Sequence, residues 1–204
     1  MSERLEIKAK GLNPRHVDQI VAVLIRGGLI AYPTDSGYAL GWRTGNRKAQ
    51  ERVVRMRQLG PHHHFTFACR NLSDIGSLAI VENWAHRLIR QVTPGPFTFI
   101  LPASKRVPKT VRQRKTHTIG IRIPDHNVVQ AILKSMDEPL LGSSLLLPGM
   151  GEEIFDSEDL FDAVHGMVDL FVDAGYCRLD PTTLVDVTGT EPVILRQGPG
   201  VLDF

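Results

Sequence analysis

The 204 residues include 42% apolar and 23% charged side chains, with 18 Gly, 13 Pro and 2 Cys. That balance excludes a disordered, collagen-like or disulfide-scaffolded chain and fits a single domain, 1–204, with a core that needs no staple. The net charge of +2 hides a division: Arg43 to Lys115 holds 15 basic and 3 acidic residues, Pro124 to Glu191 holds 2 basic and 14 acidic.

Residues 1–10 alternate charged and apolar side chains. No apolar run approaches the ~18 residues of a membrane span, so a cytoplasmic protein without a membrane partner is expected. Asn13-Pro14 is an N-cap and N1 pair that opens a helix carrying Val17, Ile20, Val21, Leu24 and Ile25, stopped by Gly27-Gly28. Leu29 to Tyr32 reads as a buried strand halted by Pro33. The polar groups that follow occupy the place where open α/β sheets put ligands. Thr34 and Ser36 are candidate donors to a phosphate or carboxylate there, and Asp35 is expected to cap a turn.

Asn46 caps a second helix that runs to about Arg57. Arg55 and Arg57 at its end suit either bidentate phosphate binding or the helix dipole. His62-His63-His64 are adjacent and cannot all point at one ion, so no metal site is expected. Phe65 to Cys69 reads as a strand and Asn83 to Val92 as a helix. Cys69 and Cys177, distant and without a CxxC pattern, read as reduced, buried thiols.

After Pro94-Gly95-Pro96 come strands at Phe97 to Leu101 and Thr118 to Ile123. Between them lie Lys105, Arg106, Lys109, Arg112, Arg114 and Lys115, six cations in eleven residues without an acid. They suit a polyanion such as RNA, or pair with the acidic half. Asp125 is expected to cap a helix carrying Val128, Val129, Ile132, Leu133 and Met136. Further strands are expected at Leu140 to Leu145, Val168 to Val172, Thr183 to Val187 and Val193 to Arg196. The acidic stretch Glu152 to Asp162 reads as a surface helix turning Phe155, Leu160, Phe161 and Val164 inward.

Ser143-Ser144 lies outside any G-x-S-x-G elbow, and its hydroxyls suit binding an oxyanion better than nucleophilic attack. Arg122 and Arg196, each beside an apolar strand, require an anion or a carboxylate to offset desolvation. There is no Walker A loop and no GxGxxG. The residues alone describe an α/β domain whose mixed sheet is covered by helices and whose anion site is lined by arginines and hydroxyls.

Six segments resemble a known family. They are GGLIAYPTDSGYALG (27–41), MRQLG with FTFACRNLSD (56–74), TPGPFTFILPA (93–103), TIGIRIPDHNVVQAIL (118–133), EPLLGSSLLLPG (138–149) and PTTLVDVTGTEPVILRQGPG (181–200). In this order they resemble the YciO branch of the YrdC family of threonylcarbamoyl-AMP synthase-like proteins. The resemblance implies a YrdC-like twisted open mixed sheet with flanking helices and a concave basic face. Synthases of the family join L-threonine, bicarbonate and ATP, with Mg²⁺, into threonylcarbamoyl-AMP on the way to threonylcarbamoyladenosine in tRNA, and related members bind double-stranded RNA or tRNA.

Carried over by position, Thr34 with Tyr32 and Ser36 forms the substrate site. Arg57, Arg122, Ser144, Thr183 and Arg196 hold nucleotide, and Arg57 and Ser144 stand at the catalytic positions. The Lys-x-Arg pair of the synthases falls on Arg57 and Leu59, and their Ser-x-Asn pair on Ser144 and Leu146. Two donors are thereby replaced by leucine, with Arg55 or the 62–64 histidines as candidate substitutes. The resemblance therefore implies a nucleotide- and RNA-binding protein with weak or altered synthase activity. The alternatives are a fully competent synthase or a scaffold for a metabolite or an acidic partner protein.

Overall fold

The computed structural model describes residues 2–7, 12–60, 63–150 and 156–202. The first half of the chain forms β1 (Glu3–Glu6), α1 (Pro14–Ile25), β2 (Ile30–Thr34), β3 (Gly37–Arg43), α2 (Arg47–Arg57), β4 (Thr66–Ala68), α3 (Leu72–Leu78) and α4 (Asn83–Val92). The second half forms β5 (Phe97–Pro102), β6 (Thr118–Arg122), α5 (Asn127–Met136), β7 (Leu140–Ser144), α6 (Ser157–Val164), β8 (Leu170–Asp173), β9 (Thr183–Asp186) and β10 (Val193–Arg196). The strands join one mixed sheet in the order β1-β8-β2-β3-β7-β4-β6-β5-β9-β10. Among the described residues no helix is long and apolar enough to cross a membrane.

Asn13 and Asn46 cap their helices as expected, accepting from the His16 and Ala49 amides at 3.0 and 3.1 Å. Asp125 does not cap α5. His126 holds the N-cap position without a side-chain cap bond, and the Asp125 amide instead donates to Asp35 Oδ2 at 3.3 Å. Pro33 does not halt β2, which continues to Thr34 paired with β3. The β2–β8 ladder ends at Ala31, so the missing Pro33 N–H withdraws nothing from it. The acidic stretch supplies α6 only from Ser157, with Leu160 and Val164 buried and Phe161 half-buried; Phe155 lies outside the described residues. Cys69 is buried, but Cys177 is only half-buried, its thiol against the Thr34 carbonyl at 3.4 Å.

Strand alternation splits the core between the two faces of the sheet. Ile30, Tyr32, Ala68, Leu140, Leu170 and Val172 join α1 and α5 on one side. Their neighbours Leu29, Ala31, Phe67, Leu141 and Phe171 join the larger cluster on the other. Helices α1 and α5 pack on each other and on β2. The α1–α5 layer does not extend over β5, β6, β9 and β10, whose strand residues are absent from its core cluster, and a cleft opens there.

Candidate functional site

The cleft has a volume of about 380 Å³. Its floor follows the two-residue period of the strands. Tyr32 and Thr34, Thr66 and Ala68, Thr98 and Ile100, Gly120 and Arg122, Gly142 and Ser144, and Thr182 with Leu184 all line it. The residues between them, Ala31, Phe67, Phe97, Phe99, Ile119, Ile121, Leu141 and Val185, are core of the opposite face. Small and hydroxyl-bearing side chains therefore face the cleft because their bulky neighbours anchor the sheet from behind.

Three arginines from distant parts of the chain reach this hollow. Arg57, at the end of α2, donates through Nε to the Leu146 carbonyl at 3.0 Å and through Nη1 to Ser143 Oγ in a short hydrogen bond. Arg122 donates through Nη1 to Ser36 Oγ at 2.7 Å and through Nη2 to Asp35. Asp35 is thus an ion-pair partner rather than the turn cap expected of it. The turn is closed instead by Thr34, whose hydroxyl accepts from the Ser36 amide at 3.1 Å and donates to the Gly37 carbonyl at 2.7 Å. The Arg122 Nε is buried and has no hydrogen-bond partner. Arg196 donates through Nε and Nη2 to the Thr182 carbonyl at 3.1 and 2.8 Å and has no carboxylate partner among the described residues. It stands at the rim because β10 is the exposed edge of the sheet, not a core strand.

Thr183 does not reach the cleft. It is fully buried, donating to the Gly200 carbonyl at 2.7 Å and accepting from the Gly198 amide at 2.9 Å. Its neighbour Thr182 lines the cleft instead and shares a 2.7 Å hydrogen bond with Thr98. Ser144 sits exposed at the lip, while Ser143 is buried and hydrogen-bonded. Burial pushes the Tyr32 phenol up to about 12, so it remains a neutral donor.

Thr66, Thr98 and Thr182 line the cleft without having been expected there. The alternation of the floor was the available signal: in Thr118 to Ile123, isoleucines and Thr-Gly-Arg occupy opposite phases. His63 Nε2 lies 3.2 Å from Ser143 Oγ, and His64 Nε2 lies 3.2 Å from Thr118 Oγ1. Arg55 is exposed and does not line the cleft, so of the two candidate substitutes only the histidines are in place. His62 lies outside the described residues. Leu146 lines the cleft, whereas Leu59 lines a neighbouring pocket.

Burial, reinforced by Arg57 and His64, lowers the His63 pKa to about 4. The unfolded chain titrates this group near 6.5, so between about pH 6.5 and 4 it binds the extra proton and stability falls as pH drops. His63→Gln is expected to flatten the pH dependence of the denaturation midpoint in that window. His64 and His126, also held down by burial, retain part of the slope. An unchanged slope in the variant would contradict this assignment.

The six cations of the 103–117 loop have no carboxylate partner among the described residues. Arg4, Arg43, Arg52, Arg70, Arg122 and Arg178, by contrast, are all ion-paired. The loop is a preset structure. Val107 and Val111 are buried, Arg112 donates to the Val107 and Lys105 carbonyls, and Gln113 Oε1 accepts from the Lys115 and Thr116 amides. Among the described residues it is not neutralised by the acidic half.

Sheet, cleft and basic loop together define an open α/β protein with an arginine-lined cleft. The Sua5/YciO/YrdC family, described as telomere recombination, matches residues 22–198, and the chain belongs to it. The Escherichia coli (strain K12) protein YciO is 42% identical over 200 residues, covering 98% of this chain and 97% of the relative. Its crystal structure matches with a TM-score of 0.93 over 98% of both chains. The threonylcarbamoyl-AMP synthase of Pyrococcus abyssi is 25% identical over 183 residues, which are 88% of this chain and 53% of that one. The structure of P. abyssi Sua5 complexed with L-threonine shares the fold at a TM-score of 0.84 and 21% identity.

Proposed function

We propose that this protein is a cytoplasmic nucleotide- and RNA-binding member of the family. In this reading the cleft holds ATP, with L-threonine and bicarbonate as co-substrates of a weak or altered threonylcarbamoyl-AMP synthesis, and the basic loop holds double-stranded RNA or tRNA. The observation that carries it is the meeting of Arg57, Arg122 and Arg196 in one hollow lined with hydroxyls. Guanidinium forks match phosphate oxygens bidentately, and two of the three, Arg57 and Arg196, have no carboxylate partner among the described residues.

In the reaction a carbamate oxygen attacks the α-phosphorus and pyrophosphate leaves. Charge grows on the phosphoryl oxygens, where preset cations stabilise it most. Among the described residues no three His, Cys, Asp or Glu side chains gather as a metal cage, so Mg²⁺ would enter on the triphosphate. Leu146 presents an apolar side chain to the cleft and gives only its carbonyl, to Arg57. The donor count beside the phosphates is lower for it, which favours weak or altered turnover. The presence of His63 and His64 in the cleft favours the alternative of a competent synthase that has exchanged its donors.

Titration with ATP and Mg²⁺ tests the reading. Arg57→Ala and Arg196→Ala should each weaken binding by roughly 10- to 100-fold, the range of a charge-assisted hydrogen bond. Binding unaffected by either change would overturn it. Pyrophosphate release that depends on threonine and bicarbonate measures the synthase activity and separates the weak from the competent form.

A further inference from the structure

A second hollow of about 280 Å³ opens on the far side of His63, between α2 and the 103–117 loop. Its walls divide sharply by chemistry. Val54, Leu59, Phe65 and Val111 supply an apolar floor, and Arg47, Lys109 and Arg114 stand around it. Arg47 meets Glu51 only at 3.9 Å, both side chains being exposed, and Lys109 and Arg114 have no ion pair among the described residues. The two sides are tied together by Gln50 Nε2, which donates to the Thr110 carbonyl at 2.9 Å. The pocket therefore exists before any ligand arrives.

An apolar floor selects a flat, poorly hydrated group, and rim cations that outnumber the one lining acid, Glu51, select negative charge beside it. A nucleobase with its flanking phosphates carries both in one unit. We propose that this pocket receives an unpaired nucleotide of an RNA, the base lying on Val54, Leu59 and Val111 and the adjacent phosphates meeting Arg47, Lys109 and Arg114. The inference rests on the RNA-binding reading above and refines it. A continuous duplex keeps its bases stacked and cannot fill such a hollow, whereas a loop or bulge can turn one base out.

The experiment compares two RNAs of equal length, a hairpin with 2-aminopurine at an unpaired loop position and a blunt duplex carrying it in a pair. Wild type should bind the hairpin roughly tenfold more tightly, in line with seating one base on a protein surface, and the 2-aminopurine emission should change on binding. Thr110 is exposed at the pocket wall, so Thr110→Trp fills the space and leaves every cation in place. It should erase the hairpin advantage, bringing the ratio of hairpin to duplex affinity down to about one. Lys109→Ala with Arg114→Ala should weaken both RNAs and lower the salt slope, which keeps the test decisive if the tryptophan variant folds poorly. Equal affinity of wild type for the two RNAs, or a hairpin advantage untouched by Thr110→Trp, overturns the pocket and leaves RNA binding standing. Failure to bind either RNA overturns both. Displacement of the hairpin by AMP at concentrations near the RNA dissociation constant would assign the pocket to a free nucleotide and overturn the RNA assignment.

Discussion

Replacing Arg122 by alanine is expected to abolish ATP binding and to destabilise the fold together, and the two losses should be separable. The Arg122 and Asp35 side chains are only 12% and 14% exposed, and Arg122 lines the cleft. Removing one partner of a buried pair leaves the other charge without compensation, at a cost of about 3–5 kcal/mol. Asp35→Asn in the same chain removes that stranded charge. The double variant should therefore recover most of the lost melting temperature. It should not recover ATP affinity, because the guanidinium that would meet phosphate is still missing. Arg122→Lys keeps a cation but cannot bridge Ser36 and Asp35 as a fork does, and should fall between. Calorimetry reads the first effect and ATP titration the second. A double variant that binds ATP like wild type would show that Arg122 serves only the fold.

Much of the architecture was legible because it depends on local chemistry. Asn13-Pro14 and Asn46 open their helices by the capping bonds their side chains allow. The apolar faces of α1 and α5 pack as their spacing requires. The elements that escaped are those whose residues answer to distant partners. β3, for which no strand was expected, contains Gly37, Ala39 and Gly41 and follows a polar turn. In the sheet, a Cβ at Gly41 would come within 2.6 Å of the Tyr32 ring, so the small residues of β3 are what Tyr32 needs to lie across it. Asp35 has the sequence context of a turn cap, but Arg122, 87 positions away, claims its carboxylate. Arg122 and Arg196 could each be marked as needing an anion or a carboxylate, and Arg57 as suiting either phosphate or the helix dipole. Which need would prevail depended on register: Arg122 found a carboxylate and still faces the cleft, while Arg57 and Arg196 found only carbonyls and hydroxyls. Thr183 and Thr182 differ by one residue, and in a strand one residue reverses the face. The resemblance put nucleotide on Thr183, whereas the pleat gives the cleft to Thr182.

Gly198→Ala is expected to weaken both the fold and the nucleotide site, although the residue does not itself line the cleft. A β-carbon at this position would overlap the Pro181 carbonyl oxygen and lie 2.6 Å from the Thr182 carbonyl carbon and the Thr183 nitrogen. All three are backbone atoms of the segment entering β9, so relief requires moving main chain. Forced overpacking of this kind costs about 1–3 kcal/mol and occasionally more. The displaced segment is the one that Arg196 holds through the Thr182 carbonyl and that Thr183 closes onto Gly198 and Gly200. The guanidinium of Arg196 should therefore lose its mooring, and ATP affinity should fall by roughly tenfold or more, the scale of one charge-assisted hydrogen bond. Thr183→Val tests the closure from its other side. It keeps the shape, strands the Gly198 amide, leaves the Gly200 carbonyl with Gln197 Nε2 as its remaining donor, and should cost about 1–3 kcal/mol. Arg196→Ala, by contrast, should reduce ATP affinity with little change in melting temperature, because that side chain is exposed at a sheet edge. The three variants thus separate the closure from the cation it positions. If Gly198→Ala melts and binds ATP as wild type does, the C-terminal turn is not what holds Arg196 in the cleft.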